Sequence, residues 1–143
     1  MLGNAAPTPF DLRFSVFGIP VRVHPLFWAL AAVITWDGED LNATLLGMAC
    51  VFVSILVHEL GHAMFALHYG WPPEIVLYVF GGYATYSPGW GHTTGRKVTI
   101  SFAGPGAGFI LYGVIWGIEW LVVHFRLVPF GDQDFLTVFH ARQ

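Results

Sequence analysis

The run from Leu41 to Tyr69 constrains this chain more than any other feature, because its 29 residues are largely apolar and include no Lys or Arg. As a helix it would be about 44 Å long, which exceeds the ~30 Å hydrocarbon core of a bilayer. The run ends at Gly70, and Trp71-Pro72-Pro73 follows, a pattern typical of a helix terminus. The sequence therefore predicts a long helix that crosses a membrane.

The overall composition points to the same environment. Hydrophobic residues make up 55% of the 143-residue chain and charged residues only 10%, whereas an ordinary soluble domain has about 25% charged residues. So few charges cannot cover a globule of this size, and we expect the lipid bilayer as a partner. A net charge of -3 provides no basic patch, so nucleic acid is not expected to bind.

Two further apolar segments accompany this run. Pro25 to Trp36 has 12 residues, which is short for a full span, while Val98 to Phe125 has 28 residues with Glu119 as its one acidic residue. The sequence thus predicts an all-α membrane protein with about three transmembrane helices. We expect residues 1–143 to form a single membrane-embedded domain.

Two short hairpins are also predicted. Phe14 to Val23 consists of β-branched and aromatic stretches that break at Gly18-Ile19-Pro20, which indicates an N-terminal hairpin at the membrane surface. Between the second and third helices, Ile75 to Phe80 and Tyr83 to Tyr86 flank Gly81-Gly82. A glycine pair suits the positive φ angles of a hairpin turn, so we expect a re-entrant or interfacial β-hairpin with its turn at Gly81-Gly82.

The long run contains His58-Glu59-Leu60-Gly61-His62. Histidines four apart lie on one helical face, so both rings can reach a single tetrahedral Zn²⁺, and Glu59 lies beside them to act on water. The alternative is a buried, hydrogen-bonded histidine pair without a metal. Ionisable groups in a membrane are costly and are usually kept for function. We therefore predict His58 and His62 as metal ligands and Glu59 as the catalytic residue.

Small residues recur in the last apolar segment. Gly104 and Gly108 are four apart, as are Gly113 and Gly117, and each pair can admit a neighbouring helix to backbone contact. A generic packing face and a specific role beside the metal both remain open. In either case the expected neighbour is the helix that carries Gly61.

Three other titratable residues support weaker hypotheses. His68 lies about 80° from the ligand face and is expected to cap the helix end. His24, just before a proline, is expected among lipid headgroups, with a hydrogen bond near the site as the alternative. Glu119 lies between tryptophans in what is predicted to be an aromatic belt, and a role as a substitute ligand is the alternative.

Together these motifs resemble the site-2 protease family of intramembrane zinc metalloproteases. The resemblance rests on His58 to His62, on Phe80-Gly81-Gly82, on Ser101 to Pro105, and on Phe17 to Pro25. It extends from Phe14 to Phe125. Because Tyr69 and Val98 leave no room for an inserted PDZ domain, the compact bacterial type is the expected subgroup.

The resemblance implies a function as well as a fold. Zn²⁺ would be the cofactor, His58 and His62 its ligands, Glu59 the general base, and Gly81-Gly82 would border the substrate cleft. The protein would be a multi-pass protein of the bacterial plasma membrane, and it would hydrolyse transmembrane or juxtamembrane peptide bonds of membrane-protein substrates.

Two positions depart from the family pattern. Gly108 stands where the family usually has an asparagine, and Asp132 lacks the sequence context of the family's third zinc ligand, an aspartate. We therefore expect the last core helix to lie beyond residue 143. The alternative is a catalytically inactive pseudoprotease that serves as a binding or adapter module in the membrane.

Overall fold

The elements of the computed structural model alternate between strands and helices along the chain. The structure describes residues 6–79, 81–87 and 93–125. In chain order the elements are β1 (Leu12–Val16), β2 (Ile19–Val23), α1 (Pro25–Ile34), α2 (Leu41–His68), β3 (Pro73–Tyr78), β4 (Gly81–Tyr86) and α3 (Thr94–His124). Contacts divide the chain into two compact units, one up to Leu111 and one from Tyr112, so the boundary falls within α3.

Helices α2 and α3 are the two that can cross a membrane. They have 28 and 31 residues, and only 6% and 0% of their most apolar stretches are buried by the rest of the structure. The core helix of a soluble protein would be mostly covered, whereas these helices present apolar side chains along their length. Lipid is the solvent that such surfaces require, so this is a membrane protein.

Helix α1 corrects the expectation of about three spans. It has 10 residues, or about 15 Å of helix, roughly half of a bilayer core. The helix ends at Ile34 because the chain turns back there toward α2. Its C-cap residue Thr35 lies so close to Gly47 that a Cβ at Gly47 would be 2.7 Å from the Thr35 Cβ.

A four-stranded sheet corrects the all-α assignment. Both predicted hairpins form, since β1 pairs with β2 and β3 with β4, each antiparallel. They are joined because β2 pairs parallel with β3, with Val21 opposite Ile75, to give the order β1-β2-β3-β4. The physical reason is a shared core. Buried residues from β2, β3, α1 and α2 pack together as one cluster: Ile19, Val21, Val23, Phe27, Ala63, Ile75 and Leu77.

The turns lie slightly apart from their predicted positions. Phe17 and Gly18 form the first turn with φ angles of 52° and 78°, the signs that a type I′ hairpin turn needs, whereas Ile19 and Pro20 already belong to β2. In the second hairpin, Gly81 and Gly82 lie inside β4 rather than in the turn. Gly81 has a φ of 119°, and Gly82 does not adopt a positive φ.

Candidate metal centre

His58 and His62 meet on one face of α2. Their Nε2 atoms are 3.2 Å apart and their ring planes are inclined by 79°. Two nitrogens that each bind Zn²⁺ at 2.0–2.1 Å in tetrahedral geometry would be separated by about 3.3 Å. The pair therefore fits two positions of a zinc site, because the i, i+4 spacing brings both rings to the same turn of the helix.

The other nitrogen of His62 fixes the orientation of its ring. Nδ1 lies 2.6 Å from the backbone carbonyl oxygen of Ile100 in α3. A carbonyl can only accept, so Nδ1 carries the hydrogen and donates it, and in the neutral ring Nε2 then has the free lone pair. Metal-binding histidines are commonly oriented by a hydrogen bond of this kind. His62 is thus held in the tautomer that a metal ligand requires.

Glu59 lies one residue beyond His58 and faces the sheet. It is only 7% exposed. A Cβ at Gly82 would lie 2.6 Å from the Glu59 Cγ, closer than atoms can approach without a shift. β4 therefore packs its backbone directly against the predicted general base. Gly82, predicted to border the substrate cleft, contacts Glu59 in the structure.

Helix α3 packs against the same turn of α2. A Cβ at Gly104 would overlap the His62 ring, and a Cβ at Gly61 would overlap the carbonyl oxygen of Ala103 and lie 2.8 Å from the Ala107 Cβ. The two helices approach to backbone contact only because both positions are glycine. The predicted contact with the helix of Gly61 is therefore present at Gly104.

The other glycines of the spacing pattern have open surroundings. Within the described part of the chain, no heavy atom lies within 4 Å of a Cβ built at Gly108, Gly113 or Gly117. Four-residue spacing alone thus does not distinguish a glycine that contacts another element from one that does not.

A second buried cluster lies beside the site. Ala66, Trp71 and Ile100 are its buried members, and Tyr86 of β4 stacks on Trp71 with ring centroids 5.7 Å apart. The backbone N–H of Trp71 donates to the Ala66 carbonyl oxygen at 3.0 Å, and Gly70 has a φ of 77°. This is a Schellman motif, and the packing of Trp71 on Ala66 is its usual apolar contact. Sequence reasoning identified the glycine cap but missed Trp71, although an apolar residue just after such a glycine is the signal for this contact.

The remaining predicted residues lie elsewhere. His24, expected among lipid headgroups, is instead buried and is the N-cap of α1, where its Nδ1 accepts from the Leu26 N–H at 3.2 Å. His68 is exposed in the last turn of α2 and contacts the Tyr69 ring edge-on. Glu119 is exposed on α3.

Among residues 6–79, 81–87 and 93–125, no three His, Cys, Asp or Glu side chains gather as a metal group. Asp132 lies outside the described residues.

Curated proteins with similar sequences point to one family. A Synechocystis protein named as a zinc metalloprotease is 30% identical over 112 residues, and stage IV sporulation protein FB of Bacillus subtilis is 27% identical over 125 residues. The alignments cover 68% and 84% of this chain but 29% and 42% of those proteins. This chain thus spans less than half the length of either relative. No protein-family model matches the sequence.

A solved structure supports the same assignment. The site-2 protease from Methanocaldococcus jannaschii superposes with a TM-score of 0.56 and 25% sequence identity, over 85% of this chain and 54% of that one. The chain belongs to the site-2 protease family of zinc metalloproteases.

Proposed function

We propose that this protein is an intramembrane zinc metalloendopeptidase of the bacterial cell membrane. Its substrates would be membrane proteins, cut at peptide bonds within or next to their transmembrane segments. The observation that carries the proposal is the 3.2 Å separation of the two Nε2 atoms with the buried carboxyl of Glu59 beside them on a membrane helix.

The residues divide the chemistry between them. His58 and His62 would hold Zn²⁺ through Nε2, with a further ligand supplied from outside the described residues. Bound Zn²⁺ supplies a Lewis acid strong enough for water to lose a proton near pH 7. Glu59 would accept that proton and deliver it to the nitrogen of the leaving amine. The backbone of β4 at Gly82, which packs against the Glu59 side chain, would keep the carboxylate in position.

The sheet offers a way to present the substrate. β4 is the last strand in the order β1-β2-β3-β4, so within the described residues its outer edge is free to pair. A helical substrate hides its carbonyl groups in its own hydrogen bonds, and an extended segment added to this edge would expose them. We assign substrate binding to the Gly81-Gly82 end of β4, where the absence of side chains leaves backbone groups accessible next to Glu59.

The test uses the full chain purified in detergent or reconstituted in liposomes, with zinc content and cleavage of a single-span substrate measured together. Glu59→Gln should retain zinc and lose turnover by about 10²- to 10⁴-fold, the usual contribution of general acid-base catalysis. His58→Ala should lose both zinc and turnover. His68→Ala provides the matched control because it removes a histidine from the same helix at an exposed position, and it should retain both.

The same measurements distinguish an active protease from the pseudoprotease hypothesis. Zinc that is held by the His58–His62 pair together with a further protein ligand, without cleavage of any membrane substrate, would indicate a binding module rather than an enzyme. Equal turnover by Glu59→Gln and wild type would contradict the assigned general base.

A further inference from the structure

The backbone of α3 forms a seat for the His62 ring. We propose that Gly104 is the positioning residue of this seat: its lack of a side chain lets α3 approach until the Ile100 carbonyl holds Nδ1 of His62 and directs Nε2 toward the metal. The inference deepens the proposed zinc function and rests on it for its effect on metal binding.

Geometry is the first argument. Ile100 and Gly104 are one turn apart on α3, so the carbonyl of one and the Cα of the other lie on the same side of that helix. The Ile100 carbonyl oxygen receives the Nδ1 hydrogen at 2.6 Å, and a Cβ at Gly104 would overlap Nε2 and Cε1 of the same ring. One helical turn thus contacts the imidazole at two places, at Nδ1 through Ile100 and at Nε2 through Gly104. Gly104 is also buried, so solvent or lipid does not compete for this space.

The local chemistry of α3 favours this arrangement. Pro105 lies inside the helix and has no N–H to donate to the carbonyl of Ser101, four residues earlier. The hydrogen-bond ladder is therefore interrupted immediately next to Ile100. Carbonyls in such a turn can tilt away from the axis and accept from a side chain. In a membrane the imidazole N–H needs a partner because an unpaired polar group there is costly, and the Ile100 carbonyl is the partner it finds.

Packing on both sides sets the register of α3 against α2. On one side of His62 along α2, Gly61 lies against the backbone of Ala103. On the other side, the Ile100 side chain is buried with Ala66 and Trp71. A shift of one residue along α3 would move it by 1.5 Å and turn it by about 100°. Either change would take the carbonyl away from Nδ1. The orientation of His62 therefore depends on close approach at this one turn.

An alanine at position 104 tests the seat. Its methyl group must displace either the ring or the helix, so the Nδ1 bond should break, and loss of such orienting bonds typically costs 10- to 100-fold in metal affinity. Gly106→Ala is the matched control, since it makes the same chemical change two residues away, where nothing among the described residues lies within 4 Å of the new Cβ.

Two measurements on the full chain give separate answers. Zinc affinity, determined by competition with a chelator, should fall at least 10-fold in Gly104→Ala and stay within twofold of wild type in Gly106→Ala. In the metal-free protein, ¹⁵N NMR of the His62 ring should show a protonated Nδ1 in wild type and in Gly106→Ala. That signal should be altered in Gly104→Ala.

The outcomes that overturn the inference are distinct from those that overturn the zinc site. Equal zinc affinity in the two alanine variants, or an unchanged His62 spectrum in Gly104→Ala, would overturn the seat. A wild-type chain that fails to bind zinc but shows the protonated Nδ1 signal, lost only in Gly104→Ala, would support the seat and overturn the zinc function.

A double-mutant cycle covers the case in which Gly104→Ala folds poorly. Removal of the ring in His62→Ala makes room for the methyl group, so the drop in thermal midpoint caused by Gly104→Ala should disappear in that background. If the drop persists unchanged without the ring, the methyl group clashes with something else, and the proposal is wrong.

Discussion

Strand β4 and helix α3 both pack on α2 beside the histidine pair, but they contact different side chains of the predicted site. β4 brings Gly82 against Glu59, whereas α3 brings Gly104 and the Ile100 carbonyl against His62. Each of these two side chains thus packs against the backbone of a neighbouring element, its backbone support, at a position where that element has a glycine.

The two supports differ in what else they can contact. The backbone groups of a helix are largely paired within the helix, so α3 has little left to offer beyond the carbonyl that His62 occupies. An edge strand keeps every second N–H and C=O free for another chain, so β4 can hold Glu59 and still pair with a substrate. If the proposed function holds, the geometry of the metal site depends on α3, while the alignment of Glu59 and of the substrate both depend on β4.

Gly82→Ala should have the largest effect of the changes that probe this comparison. Its methyl group would push the Glu59 carboxylate away from its position, and a displacement of about 1 Å can cost roughly 100-fold in turnover. Zinc affinity should remain near the wild-type value because Glu59 is not a predicted ligand. This is the reverse of the profile expected for Gly104→Ala, which loses metal first.

Thr85→Val is a suitable control for that experiment, since it changes an exposed residue on the same strand and suits β-structure. Measurement of kcat and of zinc affinity on both variants decides the matter. Parallel loss of metal and turnover in Gly82→Ala would mean that the two supports act as one structural unit, and the comparison would fail.

Gly61→Ala should have an intermediate effect, on stability rather than on a single side chain. The new methyl group would overlap the Ala103 carbonyl, and overpacking of this kind typically costs about 1–3 kcal/mol. Gly113→Ala makes the same change on α3 where nothing among the described residues lies within 4 Å. Denaturation in detergent should show a lower midpoint for the first variant only. Similar midpoints would show that contact at Gly61 does not hold α3 in place.

The smallest effect is expected far from both supports, at Asp11 before β1. The Thr8 hydroxyl donates to its carboxylate at 2.5 Å, the Thr8 N–H at 3.0 Å and Arg22 at 3.1 Å. These bonds, the Thr8 hydroxyl foremost, lower the pKa of Asp11 to about 2 from its ordinary 3.8. Because the folded pKa lies below the unfolded one, the stabilisation is present above about pH 4 and disappears as pH falls toward 2.

Asp11→Asn should therefore show a smaller fall in thermal midpoint than wild type between pH 5 and pH 2.5, with zinc affinity and turnover at neutral pH unaffected. A change in zinc affinity would show that this N-terminal loop is coupled to α3 after all. An identical pH dependence in the two proteins would mean that Asp11 does not carry it.

The parts of the molecule that local patterns specify were predictable from sequence. The predicted run from Leu41 to Tyr69 differs from α2 by one residue at its end, because continuous apolar character and the Gly70 cap act within a few residues. Helical periodicity likewise predicts that His58 and His62 share a face, which the structure shows. Their role as ligands, with Glu59 as base, remains a prediction.

Features that depend on distant partners were not predictable in this way. Gly104 and Gly113 each begin a four-residue glycine pair and share the same sequence pattern, yet within the part of the chain that the structure describes only Gly104 meets a neighbour. The turn of the second hairpin was placed at Gly81-Gly82 from the preference of glycine for positive φ, whereas Gly82 is required by the proximity of Glu59 from another element. The sheet itself was missed because its central pairing joins segments on either side of α2.

That central pairing also orders the events by which the protein is made. Val21 and Ile75 are partners in the β2–β3 ladder, although all of α1 and α2 lies between them, and closure of so long a loop has an entropic cost that local hairpins avoid. As the ribosome delivers the chain, β2 therefore has no parallel neighbour until α2 and β3 have been synthesised. Since β3 leads directly into β4, and Gly82 of β4 packs against Glu59, the Glu59 side chain gains this contact only after the whole of α2 has been made.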